Sequence, residues 1–499
     1  MASSDISREW REYERTSTAV LSAYVQPTAE KYLRYLESRL AERNLGGPTL
    51  VMQSNCGVGT VDRVAAAPIV MVESGPASGF FGAAELGRQI GRPNVLALDI
   101  GGTTAKCSLI SDGRVRIMTD YWLERNQTSA GYPAMVPVVD LVEIGNGGGS
   151  IAWVDEFQKL HVGPQSAGAD PGPVSYGAGG TQATTTDANL WLGRISRDDF
   201  CGGDITPDME ATEAALASVG DALGLSVDEA ARGIVRITNN NMVNALKLIS
   251  LNRGHDPRDF TLVAFGGGGP MHASALAEEM GINSVVIPQA ASVFSAWGMI
   301  ASDLRTDYFA TVLASVDETD IGRIADAFET TAEKAIADFV ADGSNADDVV
   351  IERFASLRYA GQEHTSEVEV GEADLRPGGV AGLQERFGAA YEAEYTYRLD
   401  APVEVVGLHL VAKVPNAAPL GDEVDLGPSD ASSAKVGARS IDYADAGVHD
   451  SAVYRAESLA PGMAFDGPAT VEGAGTSVLI NPGWSATLDG YGNLVLERH

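Results

Sequence analysis

The order of apolar runs and glycine loops predicts an α/β fold over the first three hundred residues, followed by a mostly β region. Around residues 260–288 a strand, a tight glycine loop, a helix and a second strand follow one another, the alternation of an α/β domain. Residues 94–110 read as strand, glycine-rich loop and second strand, closed by the hairpin signal Asp112–Gly113. After about residue 305 the pattern changes to alternating strands at 351–359, 366–370 and 403–414. The 499 residues exceed one compact core at roughly 100–200 residues per domain. Two domains are expected, 1–305 as an α/β domain and 306–499 as a mostly β α+β domain.

Apolar positions between 11 and 44, among them Leu21, Tyr24, Val25, Tyr32, Leu33, Tyr35, Leu36 and Leu40, recur at helical spacing, and Pro27 is expected to divide them into two helices. A short strand at 49–53 and a turn at Gly57 and Gly59 follow. Residues 144–183, rich in Gly, Ser, Pro and Ala, read as a loop-dominated surface. A short helix at 187–193 has Asp187 as its simplest N-cap. Helices at 211–223 and 227–252 end before Gly254 and Pro257. A strand at 260–265, the loop Gly266–Gly269, a helix at 271–280 and a strand at 284–288 complete the first part. In the second, a helix at 320–342 precedes the alternating strands, 415–440 reads as a loose connection, and short strands at 469–471 and 477–480 flank the end, with Pro482–Gly483 as a turn.

The charge balance of 35 basic and 68 acidic residues gives −33. Such a field repels phosphate backbones and anionic lipid, so neither nucleic acid nor a membrane surface is an expected partner. It leaves room for a local anion site made of backbone N–H groups. Cys56, Cys107 and Cys201 lie far apart without metal or disulfide spacing, which suits a reducing cytoplasm. The polar start MASSDISREWREYER has no signal-peptide core, and the seven histidines form no HExxH or HxH pair.

Two glycine loops carry the candidate chemistry. In LALDIGGTTAKCSLI a strand delivers Asp99 to its end, where the carboxylate is placed to orient a Mg²⁺-bound water. Gly101 and Gly102 let the backbone approach a phosphate, and Thr103 and Thr104 add hydroxyl donors. The same residues also suit a plain hairpin with a turn-capping acid. In LVAFGGGGPMHASALAEEMGI the run Gly266, Gly267, Gly268 and Gly269 joins a strand to a helix and reads as a nucleotide-side loop or as a tight packing junction. His272 is expected to cap or pack. A third glycine stretch, Gly145–Ser150 with Asp155 nearby, reads equally as an anion nest or as packing beneath the first loop. Asn239, Asn240, Asn241 and Asn244, poor helix formers inside a helix, suggest either polar contacts at a seam or a solvated face.

Taken together, REWREYERTSTAVLSAYVQP, SGPASG, DIGGTTAK, GNGGGSIAWVD, VGPQSAGADPGP, TTTDANLWLGR, RGHDPRDFTLVAFGGGGPMHA, VFSAWG, LRYAGQEH and FDGPATVEGAGTSVLINPGW resemble the hydantoinase A / 5-oxoprolinase family over nearly the whole chain. The resemblance implies an actin-like (ribonuclease H-like) ATPase fold, with DIGGTT as the second phosphate loop and FGGGGP as the adenosine-side loop. It also implies a fold incomplete at the N-terminus, because family members begin with a segment carrying a first phosphate loop. That loop is expected from a separate chain or to be lost. Lys106 stands where the family has an acid, and Asn146 where it has a small residue.

The activity the resemblance implies is that of a cytoplasmic subunit using ATP and Mg²⁺ to phosphorylate the carbonyl oxygen of a cyclic amide (a hydantoin, 5-oxoproline or a related lactam). Phosphorylation removes the amide resonance that protects the C–N bond, and a hydantoinase B-type subunit is the expected partner for ring opening. A subunit of an acetone- or acetophenone-type carboxylase and a noncatalytic scaffold are the alternatives.

Overall fold

The computed structural model describes residues 2–119, 121–125, 128–416 and 421–499. They form two compact units, each assembled from three stretches of chain: Met1–Ser78, Ile117–Val139 and Met299–Ala418 in the first, and Gly79–Arg116, Asp140–Gly298 and Pro419–His499 in the second.

The second unit is built on a mixed sheet. Its strands run, edge inward, Val142–Ile144, Ala105–Ser111, Val95–Ile100, Thr261–Phe265 and Ser284–Ile287. Ala105–Ser111 is antiparallel to both of its neighbours, Val142–Ile144 and Val95–Ile100, and the last two strands are parallel to Val95–Ile100. In chain order this is three-two-one-four-five, the arrangement of a ribonuclease H-like half. The sheet continues through Leu494–Arg498, Trp484–Leu488 and Ala464–Asp466. Val95, Leu96, Ala97 and Leu98 are all buried, because strands covered on both faces need an unbroken apolar run. Helices Val227–Ile249 and Gly269–Met280 pack against this sheet, and the latter also packs on Thr476–Ile480 of a four-stranded sheet with Lys435–Asp442, Val448–Arg455 and Ala469–Gly473. Asp112 and Gly113, both at positive φ, make the expected hairpin turn to Arg114–Val115.

In the first unit, a six-stranded sheet runs Leu50–Met52, Val58–Thr60, Leu304–Ser315, Val403–Val414, Val350–Tyr359 and Ser366–Glu369. Helices Ile321–Ala341 and Val380–Tyr395 bury Phe328, Phe339, Leu383 and Phe387 in one core with Ala355, Leu357, Leu408 and Leu410. A charged network lies within the same sheet. Arg305 holds Asp307 through Nη2–Oδ1 at 2.8 Å and Nε–Oδ2 at 3.0 Å, and Asn55 Nδ2 donates to Asp307 Oδ2 at 2.6 Å. His409 reaches Asp307 Oδ1 through Nε2 at 2.6 Å and Glu367 Oε2 through Nδ1 at 3.0 Å, with its ring stacked on Phe309.

Several expectations are corrected. Residues 12–42 form one helix, Glu12–Glu42, with Pro27 inside it. The carbonyl of Ala23, which loses its partner at Pro27, belongs to an exposed residue where water can replace it. Gly59 lies in the strand Val58–Thr60 and is not a turn residue. Thr184, not Asp187, is the N-cap of Thr185–Trp191; Asp187 is the third helical residue and closes a capping box. The strand Val403–Val414 does not alternate in burial, because it is central and covered on both sides. Helices Ser74–Gln89 and Val380–Tyr395 and the strand Leu304–Ser315 were not expected. Of the expected loose connection, residues 417–420 lie outside the described residues, and its end belongs to the strand Lys435–Asp442.

Candidate functional site

Parallel pairing of Val95–Ile100 with Thr261–Phe265 sets Asp99 beside Phe265, so both glycine loops leave the same end of the second unit's sheet. They are bonded directly, Gly268 N–H donating to the Ile100 carbonyl at 2.9 Å. Gly101 N–H closes the first loop onto the Thr104 carbonyl at 3.0 Å. Gly102 and Thr103 are exposed and Thr104 is half-buried, and their amides find no acceptor among the described residues. Gly266 has φ +78°, and a Cβ there would run into the Asp99 carboxylate and the Ile100 carbonyl. Gly269 opens the helix Gly269–Met280, whose first-turn amides add a positive pole at this end.

Asp99 is half-buried at its strand end. Burial raises its carboxyl above the usual range, and the charge of Lys106, its cross-strand neighbour, offsets part of that rise. Lys106 Nζ in turn meets Glu143 Oε1 at 3.3 Å on the next strand. The acid stands beside a group of outward amides, an arrangement that suits an anion carrying a hard cation. One carboxylate with neighbouring hydroxyls fits a magnesium ion that keeps most of its waters. Among the described residues no three His, Cys, Asp or Glu side chains converge to hold a metal unaided.

The third glycine stretch is packing, not an anion nest. Gly148 and Gly149 donate to the carbonyls of Gly101 and Gly102 at 3.0 and 2.6 Å, and Gly147 N–H goes to Ser150 Oγ at 2.8 Å. The amides of Gly148 and Gly149 are therefore used in holding the first loop, and that of Gly147 within the stretch itself. Asn146 anchors the stretch by donating from Nδ2 to the Thr238 carbonyl at 2.8 Å. Asp155 organises its own hairpin, accepting from Phe157 and Lys159 amides and meeting His161 at 2.8 Å. Asp187 is buried, accepting the amides of Val174, Ser175 and Thr184.

His272 is buried and bonded through Nδ1 to Asn239 at 2.7 Å, and burial pushes its pKa down to about 3, so it packs as a neutral ring. Of the four asparagines, Asn239 and Asn241 face inward onto His272 and the Val162 carbonyl, while Asn240 and Asn244 are exposed. All three cysteines are free. Burial drives the Cys56 and Cys107 thiols up to about 12, which removes them as nucleophiles.

Sequence reasoning missed a neighbouring turn. Thr476 Oγ1 donates to the Gly267 carbonyl at 3.4 Å, and Gly475 lies against Ser292. The GAGT of residues 473–476 carried the signal, a second small-residue turn between strands.

Residues 15–308 match the hydantoinase/oxoprolinase family, and residues 314–498 match the hydantoinase/oxoprolinase C-terminal domain. The chain belongs to this family. Among its relatives, the caprolactamase alpha subunit of Pseudomonas jessenii is 35% identical over 487 residues, covering 96% of this chain and 69% of that subunit. The crystal structure of the ATP-dependent caprolactamase of that organism aligns with a TM-score of 0.86 at 33% identity, covering 98% of this chain and 71% of its own. The acetone carboxylase beta subunit of Xanthobacter autotrophicus is 29% identical over 508 residues, or 98% of this chain and 69% of that subunit. A nucleotide-free acetone carboxylase structure aligns with a TM-score of 0.80 at 27% identity, over all of this chain and 71% of its own. The 5-oxoprolinase of Saccharomyces cerevisiae is 27% identical over 97% of this chain but only 38% of that protein. The actin-like fold expected for a hydantoinase/oxoprolinase protein is the one observed. No helix among the described residues is long and apolar enough to cross a membrane.

Proposed function

We propose that this chain is the nucleotide-binding subunit of an ATP-dependent hydrolase of cyclic amides. The observation that carries the reading is the direct bond between the Asp99–Thr104 and Gly266–Gly269 loops, which sets outward amides and one raised carboxyl at a single sheet end. Gly102, Thr103 and Thr104 offer N–H and hydroxyl donors to phosphate oxygens, Asp99 orients the hydrated Mg²⁺, and Gly267–Gly269 face the remainder of the nucleotide. ATP, when bound, supplies the phosphoryl group that turns an amide oxygen into a leaving group. A B-type subunit for ring opening is the partner this reading requires.

The greater likeness to caprolactamase than to acetone carboxylase, in identity and in TM-score, favours a lactam over a ketone. The test is steady-state ATP turnover by the chain with its partner subunits. Turnover that requires a lactam or hydantoin is expected. Turnover that requires a ketone with bicarbonate assigns the carboxylase reading instead, and failure to bind ATP–Mg²⁺ in the full complex assigns a scaffold.

Gly266→Ala tests the nucleotide loops themselves. The added methyl meets the Asp99 carboxylate at a left-handed backbone position, a strain of about 1–3 kcal/mol that displaces the acid. ATP affinity, measured by calorimetry, is expected to fall roughly tenfold or more for a loss of ~1.4 kcal/mol.

A further inference from the structure

Two layers of peptide groups aim the loop Gly101–Thr104. The peptides Gly101–Gly102 and Gly102–Thr103 are trans, so in each the carbonyl and the following N–H point in opposite directions. Gly148 N–H holds the Gly101 carbonyl at 3.0 Å, and Gly149 N–H holds the Gly102 carbonyl at 2.6 Å. With both carbonyls drawn onto the supporting stretch, the N–H groups of Gly102 and Thr103 are left pointing away from it. The amides that would meet phosphate are thus directed by bonds made at the other end of the same peptide planes.

The same geometry repeats one layer deeper. Gly147–Gly148 and Gly148–Gly149 are also trans. The Gly147 carbonyl accepts from Ser150 N–H at 3.1 Å, and the Gly148 carbonyl accepts twice from Thr186, from its amide at 2.8 Å and from Oγ1 at 2.9 Å. Each of these bonds turns the following N–H toward the first loop. Two lanes result: Ser150 to Gly147–Gly148 to Gly101–Gly102, and Thr186 to Gly148–Gly149 to Gly102–Thr103. Peptide groups bonded in series polarise one another and become better donors. The two backbones stack so closely that a Cβ at Gly147 would stand 2.6 Å from the Gly101 carbonyl oxygen.

Thr186 stands apart in these lanes because part of its hold comes from a side chain. It lies in the first turn of the helix Thr185–Trp191, whose capping box is already complete with Thr184 and Asp187. The helix start therefore does not call on the Thr186 hydroxyl. Thr186 is half-buried, so that hydroxyl does not need a protein acceptor for solvation either. It fills the second lone pair of a carbonyl that the Thr186 amide already satisfies, and so fixes the tilt of the Gly148–Gly149 peptide. We infer that Thr186 is a positioning residue of the nucleotide site, its hydroxyl aiming the Thr103 amide through two peptide planes. This role rests on the reading, proposed above, that the loop takes phosphate.

Thr186→Val removes the hydroxyl while keeping the shape and the backbone bond, and Thr186→Ser keeps the hydroxyl. In the complex with its partner subunits, ATP–Mg²⁺ affinity by calorimetry is expected to fall roughly tenfold in the valine variant, the low end of what loss of a supporting hydrogen bond costs a bound ion. The serine variant should restore it, and both should melt at the wild-type temperature. Amide hydrogen exchange supplies the signature that a purely structural role would not. In wild type, ATP–Mg²⁺ should slow exchange in both Gly101–Thr104 and Gly266–Gly269. At saturating nucleotide the valine variant should keep that protection in Gly266–Gly269 and lose most of it in Gly101–Thr104. Equal affinity and protection in wild type and Thr186→Val overturn the role of Thr186 and leave the nucleotide reading standing. Protection lost from both loops together, with a lower melting temperature, assigns Thr186 to the fold and overturns the role as well. A wild-type complex in which ATP–Mg²⁺ protects neither loop overturns the nucleotide reading itself, and the role of Thr186 with it.

Discussion

Asp99→Asn is expected to lower lactam-dependent ATP turnover on the order of 100-fold or more, the scale seen when one preorganised electrostatic group is removed from an active site. The substitution keeps the shape of the side chain and removes the charge that would orient the cation. Stability should move the other way. Burial raises the carboxyl of Asp99 in the folded protein, so the native state holds this proton more tightly than the unfolded chain does. The ionised acid thus costs stability at neutral pH, and that cost grows as pH rises through the unfolded and folded values. The asparagine variant should melt at the same temperature as wild type or higher, the signature of a group retained for function. In wild type, kcat/KM, which reports the free enzyme, should fall on the acid side at a pH above the ordinary carboxylate range. Lys106→Ala, which removes the charge opposing that rise, should move the acid limb higher still. Undiminished turnover in the asparagine variant would take Asp99 out of the reaction.

The loops around Asp99 were legible because their chemistry is local. A strand, an acid and paired glycines need only a few consecutive residues to declare themselves, and both loops formed at the expected positions. What the sequence could not reveal was which loop supports which. Gly145–Ser150 looked as able to bind an anion as Gly101–Thr104, and only the bonds from Gly148 and Gly149 to the Gly101 and Gly102 carbonyls separate the supporting stretch from the exposed one. The helix at 12–42 misled in another way. Its periodic tyrosines have the spacing of a core face, and spacing alone cannot say whether that face turns inward or outward. Asp187 was misassigned by one turn because Thr184, three residues earlier, completes the capping box.

The charged network of the first unit was illegible for the strongest form of the same reason: its members come from residues 55, 305, 307, 367 and 409 and meet only in the folded sheet. Its effect on stability should be large. His409 is almost fully buried, which by itself would lower its pKa, but hydrogen bonds to Asp307 and Glu367 outweigh burial and raise it to about 9. Both ring nitrogens face carboxylate oxygens, so the ring is held as an imidazolium. Burial also pushes Asp307 upward, yet Arg305 and His409 prevail and hold its carboxyl well below the usual range. For His409 the folded value exceeds the unfolded one, so its contribution is complete below pH ~6.5 and is lost as pH rises through about 9. The loss is on the order of 3 kcal/mol. The melting transition of the unit containing His409 should therefore fall between these pH values in wild type and lose most of that slope in His409→Gln. Asp307→Ala leaves Arg305 and the imidazolium buried without their shared partner, and should cost about 3–5 kcal/mol at neutral pH. Calorimetric scans across that pH range decide the matter. A wild-type transition indifferent to pH, or an equal slope in His409→Gln, would mean that the imidazole is neutral in the fold and that Arg305 alone balances Asp307.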